Sequence, residues 1–280
     1  MRQPKRLMFS TAGIPLSTRN RSTLNGISQV RELGLDGMEL EFVRGVNMSE
    51  ELAEEVGKKA KEKEIFLTCH APYYINLNAK EMPKVHASMN RIKKSAKVLD
   101  KAGGWSVCFH PGYYLDMEKK TVFENIKERI KQIVSDLEEM GNKVWIRPET
   151  TGKTTQFGNL DELLDISQEV ERVMPVIDFS HLHARTNGKY NTKEEFREIF
   201  TKVENKLGKE GLNNVHSHLS GIEYGEKGER KHLNLEESDM NFKELLEVWK
   251  EFDIKGVVVS ENPNIEKDAL MIKKLYNKIG

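Results

Sequence analysis

IFLTCH (65–70), VWIRPE (144–149) and GVVVSE (256–261) share the pattern that decides the fold. Each is a short, nearly unbroken run of apolar or β-branched residues that ends on an ionisable side chain. A strand with one wet face alternates, whereas a continuous run suits a parallel strand covered on both faces. Working outward, five comparable runs lie at 7–10, 38–42, 106–110, 173–178 and 214–218, making eight strands in all.

The segments between them read as helices. SEELAEEVGKKAKEKE starts at Ser49, a good cap, and carries Glu early and Lys late, as the helix dipole favours. LDELLDISQEVERV follows Asn159, with Glu162 placed for a capping box. IEKDALMIKKLYNKI follows Asn264 and repeats apolar residues at Ile265, Ala269, Ile272 and Tyr276. Eight strands alternating with helices in 280 residues, without a composition break or linker, predict an α/β fold of one (β/α)8 TIM-barrel domain over 1–280. The rival, a doubly wound open sheet, lacks its glycine-rich phosphate loop after the first strand.

Lys plus Arg equals Asp plus Glu at 44 each, so a protein that coats nucleic acid by bulk charge is not expected. A local basic rim remains compatible, and Arg19, Arg21, Lys153 and Arg185 are candidate phosphate contacts. No run approaches the ~20 apolar residues that span a bilayer, and MRQPKRLMFSTAG lacks the apolar core of a secretory signal. Cys69 and Cys108 lie in strand-like runs and read as packing residues of a protein in a reducing compartment. A cytoplasmic location is expected. Nothing demands dimerisation, so a monomer is expected.

The chain holds eight histidines, and six of them stand at or just past strand ends: His70, His110, His181, His183, His216 and His218. His232 lies in the loop after the seventh strand, and His86 falls in a helical segment where a solvated role is natural. Glu149, Asp178 and Glu261 end strands in the same way. In a barrel all strand C-termini converge on one face, so these distant residues would share one pocket. Imidazoles and carboxylates together are the usual ligands of zinc and similar ions. One His at a strand end is more often a scaffold residue, and Asp-x-x-His arises often by chance. The number of ligands exceeds what one catalytic ion needs. Two or three metals are therefore expected at the C-terminal face, an arrangement that suits phosphodiester hydrolysis.

The motifs resemble those of endonuclease IV, the second family of abasic-site endonucleases. The resemblance runs through TCHAPYYINL (68–77), FHPG (109–112), PETTG (148–152), IDFSH (177–181), VHSHLS (215–220) and SENP (260–263). It implies three zinc ions, with Mn2+ a possible alternative. His70, His110 and Glu149 would hold the first. Glu149 would bridge to a second, held also by Asp178, His216 and Glu261. His181 and His232 would hold the third. Glu149 and Glu261 would be catalytic, fixing the attacking hydroxide. Double-stranded DNA with abasic sites would be cut on the 5′ side to leave a 3′-hydroxyl. Tyr73 and Tyr74 would insert into the duplex, where an abasic site is cheap to open.

Two positions depart from the family. Its third metal takes an aspartate two residues before the histidine, but GERKH (228–232) has Arg230 there. Glu229 substitutes if the loop carries a local shift; otherwise the site is weak, differently liganded or empty. His218 replaces the asparagine of the family's His-x-Asn and is either an extra ligand, a phosphate donor or a packed residue. Two competing readings follow. A sugar isomerase or epimerase needs only Glu149, Asp178, His216 and Glu261 around one ion. A relative that binds damaged DNA without cutting it is suggested by Arg230.

Overall fold

All eight predicted runs form strands, at Leu7–Ala12, Gly37–Glu41, Phe66–His70, Ser106–Phe109, Trp145–Pro148, Val176–Asp178, Val215–Leu219 and Gly256–Ser260. They are numbered first to eighth here. The structure is a computed structural model and describes residues 3–279. Every neighbouring pair is parallel, in the order fifth, fourth, third, second, first, eighth, seventh, sixth. Parallel bridges Ile146↔Val173 and Glu149↔Val176 join the two ends. The ring is closed, as the TIM-barrel reading expects.

Period two along each strand sorts side chains between the barrel interior and the helix layer. Leu7, Phe9, Cys69, Val107, Ile146, Ile177, Val215 and Val258 join the large apolar cluster under the helices. Met8, Phe66, Trp105, Val257 and Val259 form a separate cluster, the interior plug. Continuing along the inward parity leads to Glu39, His70, Cys108, Arg147, Glu149, Asp178, His216 and His218, all buried. Arg147 stacks on Trp105 at 4.5 Å, and burial lowers its pKa to about 9. The barrel is therefore apolar at one end and ionisable at the other.

The helices begin where the caps allow. Ser49 accepts from Leu52 N at the start of Glu50–Glu62, and Asn159 with Glu162 closes a capping box on Leu160–Glu169. That helix stops short of the sequence expectation. Val170 is extended at φ −127°, and Val173 already bridges to the fifth strand. The last helix, Glu266–Tyr276, starts after Ile265, while Asn264 accepts from Asp268 N one turn in.

Candidate metal centre

The C-terminal strand ends bring together three overlapping groups of potential ligands, built around Glu149. This carboxylate at the end of the fifth strand is fully buried. His70 Nε2 and His110 Nε2 both lie 3.2 Å from its Oε2. On its other side Glu149, Asp178, His218 and Glu261 present ligand atoms within 4.8 Å of one another. His181, Glu229 and His232 form the third group.

Local structure explains several placements. Asp178 ends the sixth strand and caps the helix Phe179–Arg185, accepting from His181 N at 2.7 Å. One helical turn then returns His181 to the pocket, where Nδ1 lies 3.2 Å from Asp178 Oδ2. The Asp-x-x-His spacing is thus a cap and a pair of potential ligands at once.

Glu229 and His232 sit on a hairpin after the seventh strand, Gly221–Gly225 with Gly228–Leu233. Residues three apart in a regular strand point to opposite faces. Here Tyr224 pairs with Glu229 but Glu223 pairs with Lys231, so Arg230 is a bulge. The extra residue restores Glu229 and His232 to one side and turns Arg230 out towards Glu223, 3.4 Å away. This local shift places the Glu229 carboxylate beside His181 and His232. His181 Nε2 lies 3.5 Å from Glu229 and His232 Nε2 3.8 Å from it. The approach needs glycine: a Cβ on Gly152 would lie 2.6 Å from Glu229 Oε2.

Strand register corrects one expectation. Asp178 pairs with His218, whereas His216 pairs with Val176. His216 therefore sits two residues lower in the barrel, about 6.6 Å at ~3.3 Å per residue. Its Nε2 faces Glu39 at 3.2 Å and its Nδ1 Ser106 at 2.9 Å, and it lies outside the group around Glu149 and Asp178. His218 takes that place, with Nδ1 3.0 Å from Glu149 and 3.3 Å from Glu261. Both histidines face inward, so motif spacing alone could not rank them.

Other placements also differ. His183 turns away from the pocket and is a scaffold residue, bonded to Lys189 O at 2.8 Å and Asp239 at 3.1 Å. Arg185 is tied down rather than free for phosphate, donating to Thr151 Oγ1 and Gln156 O at 3.0 Å each. Cys69 packs in the core, but Cys108 lies on the pocket floor and donates to Glu149 Oε2 at 3.0 Å. Sequence reasoning missed Glu39 and Glu41. Their signal was GMELE (37–41), where two acids share one parity of an otherwise apolar strand. Tyr73 and Tyr74 are 61% and 64% exposed beside the pocket, with the Tyr73 ring 5.8 Å from that of His70. Leu16, Val43 and Tyr113 are exposed on neighbouring loops of the same rim.

The pocket is electrostatically tense. Burial disfavours every charge in it, yet the His218 and His110 charges hold Glu149 well below the usual carboxylate range. Burial likewise opposes ionisation of Glu261, but His218 brings it to about 2. Burial disfavours the His70 imidazolium, but its hydrogen bond to Glu149 together with the Glu149, Glu41 and Glu261 charges raises it to about 10. Glu41 is pushed up to about 8 by burial and the neighbouring Glu39 charge. Asp178 Oδ2 is buried without a hydrogen-bond partner. These residues fit divalent cations. Facing ligand atoms stand 3.0 to 3.2 Å apart around Glu149, close to the edge of about 3.3 Å expected for a tetrahedron with ~2.0 Å bonds.

Residues 27–275 match the family described as the xylose isomerase-like TIM barrel. The chain belongs to that family. It is 47% identical over 275 residues to the uncharacterized protein MJ0133 of Methanocaldococcus jannaschii, covering 98% of each chain. It is 27% identical over 204 residues to a protein of Mycoplasma pneumoniae named probable endonuclease 4, covering 71% of this chain and 68% of that one. The family barrel is shared with endonuclease IV of Thermus thermophilus, at TM-score 0.74 and 16% identity over 98% of this chain and 100% of that one. A D-tagatose 3-epimerase-like protein is as similar, at TM-score 0.72 and 20% identity over 96% of each chain. These structural likenesses establish the barrel, and the resemblance to endonuclease IV agrees with the sequence motifs.

Proposed function

We propose that this protein is a metal-dependent phosphodiesterase that cuts double-stranded DNA at abasic sites. The observation that carries the proposal is the extent of the ligand set. Glu149, Asp178, His218 and Glu261 already suffice for one ion, yet His70, His110, His181, Glu229 and His232 continue the array on either side. Such a surplus suits several cations a few ångströms apart, zinc by analogy with endonuclease IV. When bound, they supply neutralisation of phosphate charge and a nucleophilic water near neutral pH.

The protein's own groups define the rest of the chemistry. Glu149 spans the first two groups and fixes their separation. Glu261, half-buried at the mouth, faces both the second group and the open rim, where it can orient the attacking water. Tyr73 and Tyr74 stand over the mouth with faces free to stack where a base is missing. In this proposal the barrel acts as one domain and as a monomer. Its reduced cysteines, Cys69 and Cys108, suit a cytoplasmic setting. Among the described residues no helix is long and apolar enough to cross a membrane.

A sugar epimerase is the second reading. It is favoured by the self-sufficient group of Glu149, Asp178, His218 and Glu261 and by the epimerase-like structural neighbour. Incubation with a duplex carrying one abasic analogue separates the two. Incision on the 5′ side that disappears with a chelator is expected; an intact duplex together with turnover of ketohexoses would favour the epimerase.

A further inference from the structure

Three imidazoles at the rim share one arrangement. His70, His181 and His232 place Nδ1 beside the backbone carbonyls of Ala71, Thr150 and Glu261, at 2.7, 2.9 and 3.1 Å. A carbonyl can only accept, so Nδ1 carries the hydrogen, and Nε2 is the atom left for a cation. His218 is reversed. Its Nδ1 faces Glu149 and Glu261, while Nε2 lies 3.1 Å from Glu39 Oε1.

The reversal follows from depth. His70, His181 and His232 sit at or beyond the ends of the barrel strands, and the carbonyls of Ala71, Thr150 and Glu261 that they face are free of the barrel ladder. His218 lies inside the seventh strand, where neighbouring carbonyls are committed to strand pairing. Only an interior side chain can accept its second proton, and Glu39 fills that place. Glu39 is fully buried on the second strand, one inward position below Glu41, which pairs with His70. Its other oxygen faces His216 Nε2, and His216 Nδ1 faces the Ser106 hydroxyl. With Ser106 donating to His216, the Glu39 carboxylate is the acceptor within reach of both Nε2–H groups, at 3.2 and 3.1 Å, although neither contact is an aligned hydrogen bond and all four atoms are buried without a partner in the metal-free chain.

We propose that Glu39 is the positioning residue of the centre, accepting Nε2–H from His218 and leaving Nδ1 as the atom that faces the cation shared with Glu149, Asp178 and Glu261. This rests on the metal-centre reading above. A carboxylate behind a ligating imidazole fixes its tautomer and ring plane and raises its basicity. His216 Nε2 is the polar atom that faces the buried Glu39 carboxylate from the other side. That explains why two inward histidines follow each other in VHSHLS while only one reaches the rim.

The test uses wild-type protein with 15N-labelled histidine, loaded with 113Cd. The expected spectrum has cadmium coupled to Nδ1 of His218 and a proton on its Nε2. Coupling to Nε2 of His218, or a further cadmium held among Glu39, His216 and His218, would overturn the assignment. E39Q keeps the shape but removes the charge. It should bind one ion about 10- to 100-fold more weakly while the others are retained, with the melting temperature of the metal-free protein checking the fold. If E39Q fails to fold, the wild-type spectrum decides alone. Cadmium-loaded wild type beside an E39Q that holds every ion equally tightly refutes the Glu39 role only, whereas wild type that takes up no ion refutes the metal centre itself.

Discussion

Loading the centre at neutral pH should expel protons, and the structure names the imidazoles that give them up. Burial opposes protonation of His70, His181 and His218, but the surrounding carboxylates raise all three, His70 to about 10. In the metal-free protein at pH 7.5 His70 therefore carries two ring protons, and His181 and His218 are pushed in the same direction. A ligating imidazole must offer a lone pair, so His70 gives up one proton, and His181 and His218 add to the release. Because the raised values belong to the metal-free form, proton and metal compete, and binding must strengthen as pH rises. Each displaced proton is worth about 1.4 kcal/mol per pH unit, so the proton on His70 alone should weaken loading by ~1.4 kcal/mol between pH 7.5 and 6.5, and protons from His181 and His218 add to it. Calorimetric titration of chelator-stripped protein with zinc, in buffers of different ionisation enthalpy, counts the protons directly. Uptake without proton release, with affinity flat across that range, would refute the paired imidazolium–carboxylate picture.

Glu229→Ala should remove one ion per chain, whereas Arg230→Ala should leave the metal content unchanged, as read by elemental analysis after gel filtration. The reverse result would mean that the bulge does not act as described. Glu261→Gln should fold normally and lose incision by at least about 100-fold, the scale for removing a group that stabilises the transition state; wild-type turnover contradicts the role given to it. Tyr73→Ala should weaken binding to an abasic duplex by about 5- to 100-fold, corresponding to ~1–3 kcal/mol of stacking, with metal content constant. Loss of metal in that variant would make the tyrosine structural instead.

The barrel was legible because strands buried on both faces leave little choice of residue. IFLTCH, VWIRPE and GVVVSE each form the expected strand within one or two residues at either end. Caps were legible for the same local reason, since Ser49 and Asn159 act on donors three residues away. What depends on neighbouring strands was harder to read. The choice between His216 and His218 is set by register against Asp178, which no spacing within VHSHLS encodes. The bulge at Arg230 is a property of the hairpin as a pair, so Glu229 could be offered only as one option. His183 follows Asp178 as closely as a ligand might, but the short helix turns it towards Asp239. Glu39 lies within the second strand, and Glu41 ends it one residue before the Phe42 at which the apolar run stops in the sequence, so a search confined to the ends of such runs passed over both.

The strand ends present ligands enough to hold several cations together. Elemental analysis of the purified chain after equilibration with zinc tests this most directly: three ions per chain are predicted, one for each group around Glu149 and His181. A chain saturated by a single ion would contradict the account, leaving His70, His110 and His232 without a purpose and returning the barrel to mononuclear sugar chemistry.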